Sequence, residues 1–274
     1  TGRNGDCMIR DITIGQYYKA DSVIHRLDPR VKLMGTLIFI ISLFMGMNIW
    51  IYAVVTVALA VVIKMSRIPL KFMVRGLKSI VILIIISAVF NLFLTPGDVF
   101  IQIWKLTITY QGLKMAIFMV VRLIYLIVGT SLMTLTTTPN NLTDGLEKGL
   151  GFLKVIKVPV HEIAMMMSIA LRFIPILIEE TDKIMKAQMA RGADFENGSL
   201  IKRAKAMVPI LVPLFVSAFR RANELAMAME ARCYHGSEGR TKMKPLKYEK
   251  RDRIAYISMV LYLGVIIIVK IIAA

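Results

Sequence analysis

Two arginines stand at matching positions near the ends of two long helical stretches. Ala187-Gln188-Met189-Ala190-Arg191-Gly192 closes the first, and Ala228-Met229-Glu230-Ala231-Arg232-Cys233 closes the second. A guanidinium is planar, permanently charged and carries its donors in a fixed fork. It suits docking to a carboxylate or to a groove lined by carbonyls. One such tip has an ordinary explanation. A cation at a helix C-terminus meets the negative end of the dipole, and a glycine after it is a common stop. Two copies of Ala-x-x-Ala-Arg point further, to a partner with two equivalent grooves, as a dimer offers. Cys233 stands where the first copy has glycine, so the second helix is expected to end later, near Gly236.

Few other residues are placed for chemistry. Cys7 and Cys233 give no disulfide framework and no metal spacing. His25, His161 and His235 are scattered, so no metal site is expected. The chain has no Gly-x-x-x-x-Gly-Lys-Ser/Thr loop and cannot cradle nucleotide phosphates by that route. No Ser/His/Asp or paired-carboxylate site is evident, so no enzyme and no cofactor of its own are expected. Glu179 and Glu180 read as solvated helix charges, with Glu179–Lys183 and Asp182–Lys186 paired at i,i+4. Arg122 and Arg172 interrupt apolar stretches. A mid-bilayer arginine costs about 2.5 kcal/mol or more, so Arg122 faces protein. Its partner is a carbonyl or a buried acid, or else it serves gating or partner contact.

These residues must be positioned by a largely apolar chain. The 274 residues are 57% hydrophobic, with a formal charge of +17. That is too apolar for an ordinary soluble domain, which makes a nucleic-acid binder improbable. In a membrane protein the positive charge marks cytoplasmic loops and the anionic leaflet. No cleavable signal is expected, and the residues before Met8 read as an appended or processed segment.

Residues 1–32 read as a cytoplasmic segment, with Asp28 as cap and Pro29 at the first helical position of the first span. Residues 33–137 read as a membrane bundle of four spans. Leu33–Ile63 holds no charged residue, and as one helix it would be about 46 Å long against a hydrocarbon core of about 30 Å. Both flanks are basic, so the run is split at Met45-Gly46-Met47-Asn48 into a short hairpin. Leu77–Leu94 and Gly112–Thr137 are the next spans. Between them Ile101–Tyr110 reads as a short surface strand or an interfacial piece.

Residues 138–235 form a separate module. It has a short helix at 140–150 that Asn140 or Asn141 can cap, then long helices at 159–190 and 199–233. The first starts in or on the membrane and emerges into water, because its apolar half carries Arg172 and Pro175. Pro209 and Pro213 should bend the second. Ala218, Ala222 and Ala226 make a small-residue stripe suited to a close helix crossing, as do Ala164 and Ser168. Residues 236–253 are a basic cytoplasmic loop, and 254–273 a last span. The fold class is therefore an all-α integral membrane protein, with about five transmembrane helices, a short helix and two long cytoplasm-facing helices.

At these residues the chain resembles the transmembrane (T) components of energy-coupling factor transporters, the CbiQ-like family of ABC-type vitamin and trace-metal importers of prokaryotes. The likeness covers Asp21 to Arg253. It rests on Thr137-Thr138-Pro139 with Leu142-Thr143-Asp144-Gly145-Leu146-Glu147, on Pro159-Val160-His161-Glu162, on Leu171-Arg172-Phe173-Ile174-Pro175, and on the two arginine motifs. The resemblance implies that Ala190-Arg191-Gly192 and Ala231-Arg232-Cys233 insert into grooves of two ABC ATPase subunits, which bind the ATP and Mg. It implies that the apolar parts of the same helices hold a substrate-binding (S) subunit, with Met165, Met166, Pro175, Pro209, Pro213 and Phe215 as contact residues. It further implies a multi-pass protein of the prokaryotic cell membrane, N-terminus inside. A self-sufficient secondary transporter or a conventional ABC permease subunit is the alternative. The first would need membrane-embedded acids or broken helices, and the second a single coupling loop.

Overall fold

The computed structural model describes residues 17–78, 80–96, 98–103, 106–193, 195, 199–236 and 246–272. The readings that rest on Cys7, Arg10, Gly97, Lys105, most of the turn 194–198 and the basic stretch 237–245 lie outside them. The chain separates into a unit built on Leu146–Pro245 and a unit of Gly15–Gly145 with Leu246–Ala274.

The larger unit holds α1 (Pro29–Phe44), α2 (Ile49–Ser66), α3 (Leu70–Lys78), α4 (Val81–Leu94), α5 (Tyr110–Thr136) and the first part of α6 (Pro139–Gly149), which crosses the division at Gly145. It also holds a β-hairpin of β1 (Val99–Ile103) and β2 (Leu106–Thr109), paired antiparallel with Ile103 opposite Leu106. This short strand pair is the one departure from an all-α chain among the described residues. The smaller unit continues from α6 through a 3₁₀ stretch (Leu150–Ile156) into α7 (Val160–Ala190) and α8 (Leu200–Glu230). The last helix, α9 (Lys250–Ile272), belongs to the larger unit.

Local chemistry sets most helix ends. Asp28 accepts a hydrogen bond from the Arg30 N–H (2.9 Å), with Pro29 opening α1. The long uncharged run divides because Asn48 caps α2, accepting from the Trp50 N–H (3.3 Å). The start of α6 differs from the sequence reading. Thr138 rather than Asn140 or Asn141 is the cap, accepting from the Asn141 N–H (3.3 Å), because Pro139 already fills the first helical position.

Helix α5 is the hub of this unit. Val128, Leu132 and Leu135 pack with Ile24, Leu59, Ile68 and Met73 into one core cluster. A second cluster joins Leu43, Ile51, Tyr52 and Val55 to Ile266 of α9. Gly129 lets α1 approach, since a Cβ there would run into the Phe39 ring. Asp252 ties the helix starts together. Its buried carboxylate accepts from the Asp28 N–H (2.9 Å) and the Glu249 N–H (2.8 Å), joining the start of α1 to that of α9.

Arg122 is buried inside this bundle. Its Nε donates to the Tyr52 hydroxyl (3.1 Å), and its guanidinium lies 5.1 Å from the centre of the Phe44 ring. Its partners are thus a phenol and an aromatic face, not the acid or carbonyl that sequence reading anticipated. Tyr52→Phe leaves a buried charge short of an acceptor. It is expected to destabilise the protein by about 1–3 kcal/mol, read as a lowered Tm of the detergent-solubilised chain.

Four helices among the described residues are long and apolar enough to cross a membrane: α2, α5, α7 and α9. Sequence reading set the second half of α7 in water, and an 18-residue window of this helix meets the same criterion, as the least apolar of the four. Helices α1 and α4, both expected as spans, have only 16 and 14 residues. At about 24 and 21 Å they are short for a hydrocarbon core of about 30 Å and need local thinning or tilted neighbours.

Candidate functional site

Helices α7 and α8 have 31 residues each. Pro159 sits at the N-cap of α7 and Glu162 in its first turn, where the dipole favours an acid. His161 is fixed there by the Glu147 carboxylate, 2.8 Å from its Nδ1, which ties the end of α6 to the head of α7.

Three contacts give the direction of the pair. Gln188 reaches Pro209, Glu180 meets Arg221, and Met165 meets Tyr234. The partner number rises along α8 as it falls along α7, so the helices run antiparallel. Arg232 is therefore level with the stretch near Ser168 of α7, and the two arginine tips lie at opposite ends, roughly 35 Å apart along the axis.

Each contact has a local reason. Pro213 has no N–H to offer the Pro209 carbonyl one turn back, and Gln188 Nε2 donates to that carbonyl instead (3.4 Å). Helices α7 and α8 continue through Pro175, Pro209 and Pro213. Glu180 accepts from Arg221 across the pair, a partner that the sequence reading did not name beside Lys183. The Tyr234 hydroxyl donates to the Met165 sulfur (3.1 Å), which half-covers Met165.

The seam differs from the expected alanine stripe. Ala222 and Ala226 are exposed. Among the described side chains of α8 the covered positions are Ile210, Leu214, Ser217, Ala218, Arg221, Leu225 and Met229, a stripe mostly at spacings of three and four. The opposite side is apolar and open. Val208, Leu211, Val212, Phe215, Val216 and Phe219 are all about half exposed or more, Phe215 at 61%. Pro175, Pro209, Pro213 and Met166 are also exposed, as is Arg172. A contiguous apolar face of this size marks a contact with protein or lipid.

The two tips share one geometry. Arg191 is the C-cap of α7. The Gly192 N–H donates to the Met189 carbonyl (2.9 Å) and the Ala193 N–H to the Gln188 carbonyl (3.0 Å). At the other tip the Cys233 N–H donates to Glu230 (2.9 Å) and the Tyr234 N–H to Met229 (3.1 Å). Both are Schellman closures with the arginine at the same step. Gly192 has φ +87 and Cys233 has φ +55. The second helix thus ends in the same register as the first and does not run on to Gly236. Cys233 accepts the left-handed conformation because the two closing hydrogen bonds and the Tyr234–Met165 contact offset its cost. That cost is about 1–2 kcal/mol for an L-residue. Cys233→Gly is expected to recover about 1 kcal/mol, seen as a raised Tm of the solubilised chain, with no change of fold. Ala190, Arg191, Gly192, Ala231, Arg232 and Cys233 are all exposed.

Among the described residues no group of histidine, cysteine and acid side chains is placed to hold a metal.

The cobalt transport protein family model (CbiQ) matches residues 20–243. An energy-coupling factor transporter transmembrane protein of Clostridium kluyveri is 57% identical over 250 residues, covering 90% of this chain and 93% of the relative. Its counterpart in Bacillus subtilis is 47% identical, covering 92% and 96%. That in Lactococcus lactis is 42% identical, with the same two shares.

Proposed function

The chain belongs to the cobalt transport protein family as a transmembrane component of an energy-coupling factor transporter, and on that premise we propose that α7 and α8 are its coupling helices. It is a multi-pass membrane protein and a non-catalytic transport subunit. In the proposed mechanism Arg191 and Arg232 dock in grooves of two ABC ATPase subunits, one groove each. ATP and Mg bind those partners. Closure of the ATPase pair moves the two tips, and the rigid antiparallel pair carries that motion to its apolar face. An S subunit rides on that face, at Met166, Pro175, Pro209, Pro213 and Phe215, and the movement topples it to release a vitamin or trace metal inward. Met165, half-covered by Tyr234, sits at the edge of that surface.

The observation that carries this reading is the pair of identical helix closures at opposite ends of one hairpin. A stop signal alone explains each arginine but not two exposed guanidinium positions in equal register, roughly 35 Å apart. A dimeric partner meets that spacing with two equal sites. Arg172 and Arg122 stand outside the docking tips, and Arg122 serves the bundle. We place residues 33–137 and 254–273 as the membrane anchor and 138–235 as the coupling module, in the prokaryotic cell membrane with the N-terminus inside. The basic flanks of the apolar runs support that orientation.

The test is reconstitution. The purified chain alone in liposomes is expected to hydrolyse no ATP and carry no substrate. Adding two ATPase subunits and an S subunit should produce ATP-dependent uptake. Transport by the chain alone would overturn the reading.

A further inference from the structure

The link between α2 and α4 carries cations and no acid of its own. Lys64, Arg67, Lys71, Arg75 and Lys78 lie within it, and no acid occurs anywhere between Asp28 and Asp98. The dipole accounts for part of this. Lys64 is in the last turn of α2, Arg67 is its C-cap, and Lys78 ends α3. Arg75 begins the last turn of α3 and shares that reason, but Lys71 does not, because it stands in the first turn.

The packing of α3 sets the faces. Met73 is 1% exposed in the core cluster, with Leu77 packed against the same cluster. Gly76 brings the helix against Ser131 of α5. At 100° per residue, Lys71, Arg75 and Lys78 take register positions opposite Met73. One face of this short helix is therefore committed to the bundle, and the register positions opposite it are occupied by cations. Lys64, Arg67 and Lys78 are exposed. On either side the chain enters apolar helices, α2 ending at Ser66 and α4 starting at Val81. On the membrane reading of the chain, a helix held between two such entries belongs at the level where the bilayer meets water.

We propose that α3, with the end of α2, is a binding surface for the headgroups of anionic phospholipids, formed by Lys64, Arg67, Lys71, Arg75 and Lys78. The phosphates supply the charge that the chain withholds. Cations close to an anionic leaflet gain attraction that falls off within a Debye length. An acidic protein partner is the less favoured occupant, because the surface lies between two membrane entries. The binding fixes the depth of α3, and through it of α5, against which it packs. This rests on the membrane reading of the chain but not on docking at the arginine tips. An Arg191→Glu, Arg232→Glu variant is expected to keep the lipid preference.

The full chain is reconstituted in mixed vesicles, and association of spin-labelled phosphatidylglycerol is compared with that of spin-labelled phosphatidylcholine. Wild type is expected to favour phosphatidylglycerol by roughly threefold or more, with the preference shrinking in high salt. Changing all five cations to Gln should bring it near parity. Changing Lys183, Lys186, Lys247, Lys250 and Arg253 to Gln should leave most of it. Equal loss in both variants would mean bulk charge and overturn the proposal. So would an unchanged lipid preference together with loss of co-purifying ATPase subunits, which would mark a protein-docking surface. If the fivefold variant aggregates, Lys71→Gln with Arg75→Gln carries the test. A clear partial loss is expected, and an unchanged preference overturns the assignment.

Discussion

Arg191→Glu combined with Arg232→Glu is expected to strip both ATPase subunits from the complex while an S subunit stays bound. Reversing a charge that docks in a partner's polar groove costs about 2–5 kcal/mol, since the groove is left with an unpaired or repelled group. Each single change should weaken one of two sites and leave a complex that partly co-purifies. The double change should leave none, and uptake should fall with it. Equal closures at both tips predict similar losses from either single change. The measurement is affinity co-purification of the three components, scored for each subunit. If the double variant keeps its ATPases and its transport, the arginines are ordinary helix ends. The fold should survive, because both side chains are exposed and the closing hydrogen bonds are made by backbone groups.

Val212→Asp with Phe215→Asp is expected to do the reverse, releasing the S subunit and keeping the ATPases. Both residues lie on the open apolar face of α8, 58% and 61% exposed. An anchor side chain at the centre of a protein interface contributes about 2 kcal/mol or more, and a carboxylate in its place adds desolvation cost. The double variant should therefore lose more than about a hundredfold in S-subunit affinity, roughly 3 kcal/mol or more. Retention of the S subunit would mean that this face meets lipid instead. The seam residues Ile210 and Leu214 make poor probes of docking, because changing them would disturb the α7–α8 pair itself.

The membrane class, the long helices and the two arginine motifs are legible in the amino-acid order, because they rest on local physics, whereas the short α3 was not read as a helix. An uncharged run has few solutions other than the bilayer. Asp28-Pro29 and Met45-Gly46-Met47-Asn48 mark helix ends through caps that need only near neighbours. The β-hairpin was half legible, because Ile101–Tyr110 alternates too weakly to tell a strand from an interfacial segment.

Which side chains meet across elements is a property of the folded chain alone. Lysine neighbours one turn away suggested local partners for the α7 acids, yet Glu180 is held by Arg221, 41 residues on. The alanine stripe of α8 suggested a close seam, yet Ala222 and Ala226 face outward, because alanine favours any helical position and marks none. Arg122 had no partner to be named until folding brought Tyr52 and Phe44 to it. Cys233 looked like a missing stop, yet the chain turns left-handed there as at Gly192. Helix termination depends on closing hydrogen bonds and on the contact of Tyr234 with Met165, which no local pattern reveals. The opposed placement of the two arginines comes from the antiparallel pairing, a long-range fact that spacing along the chain does not contain.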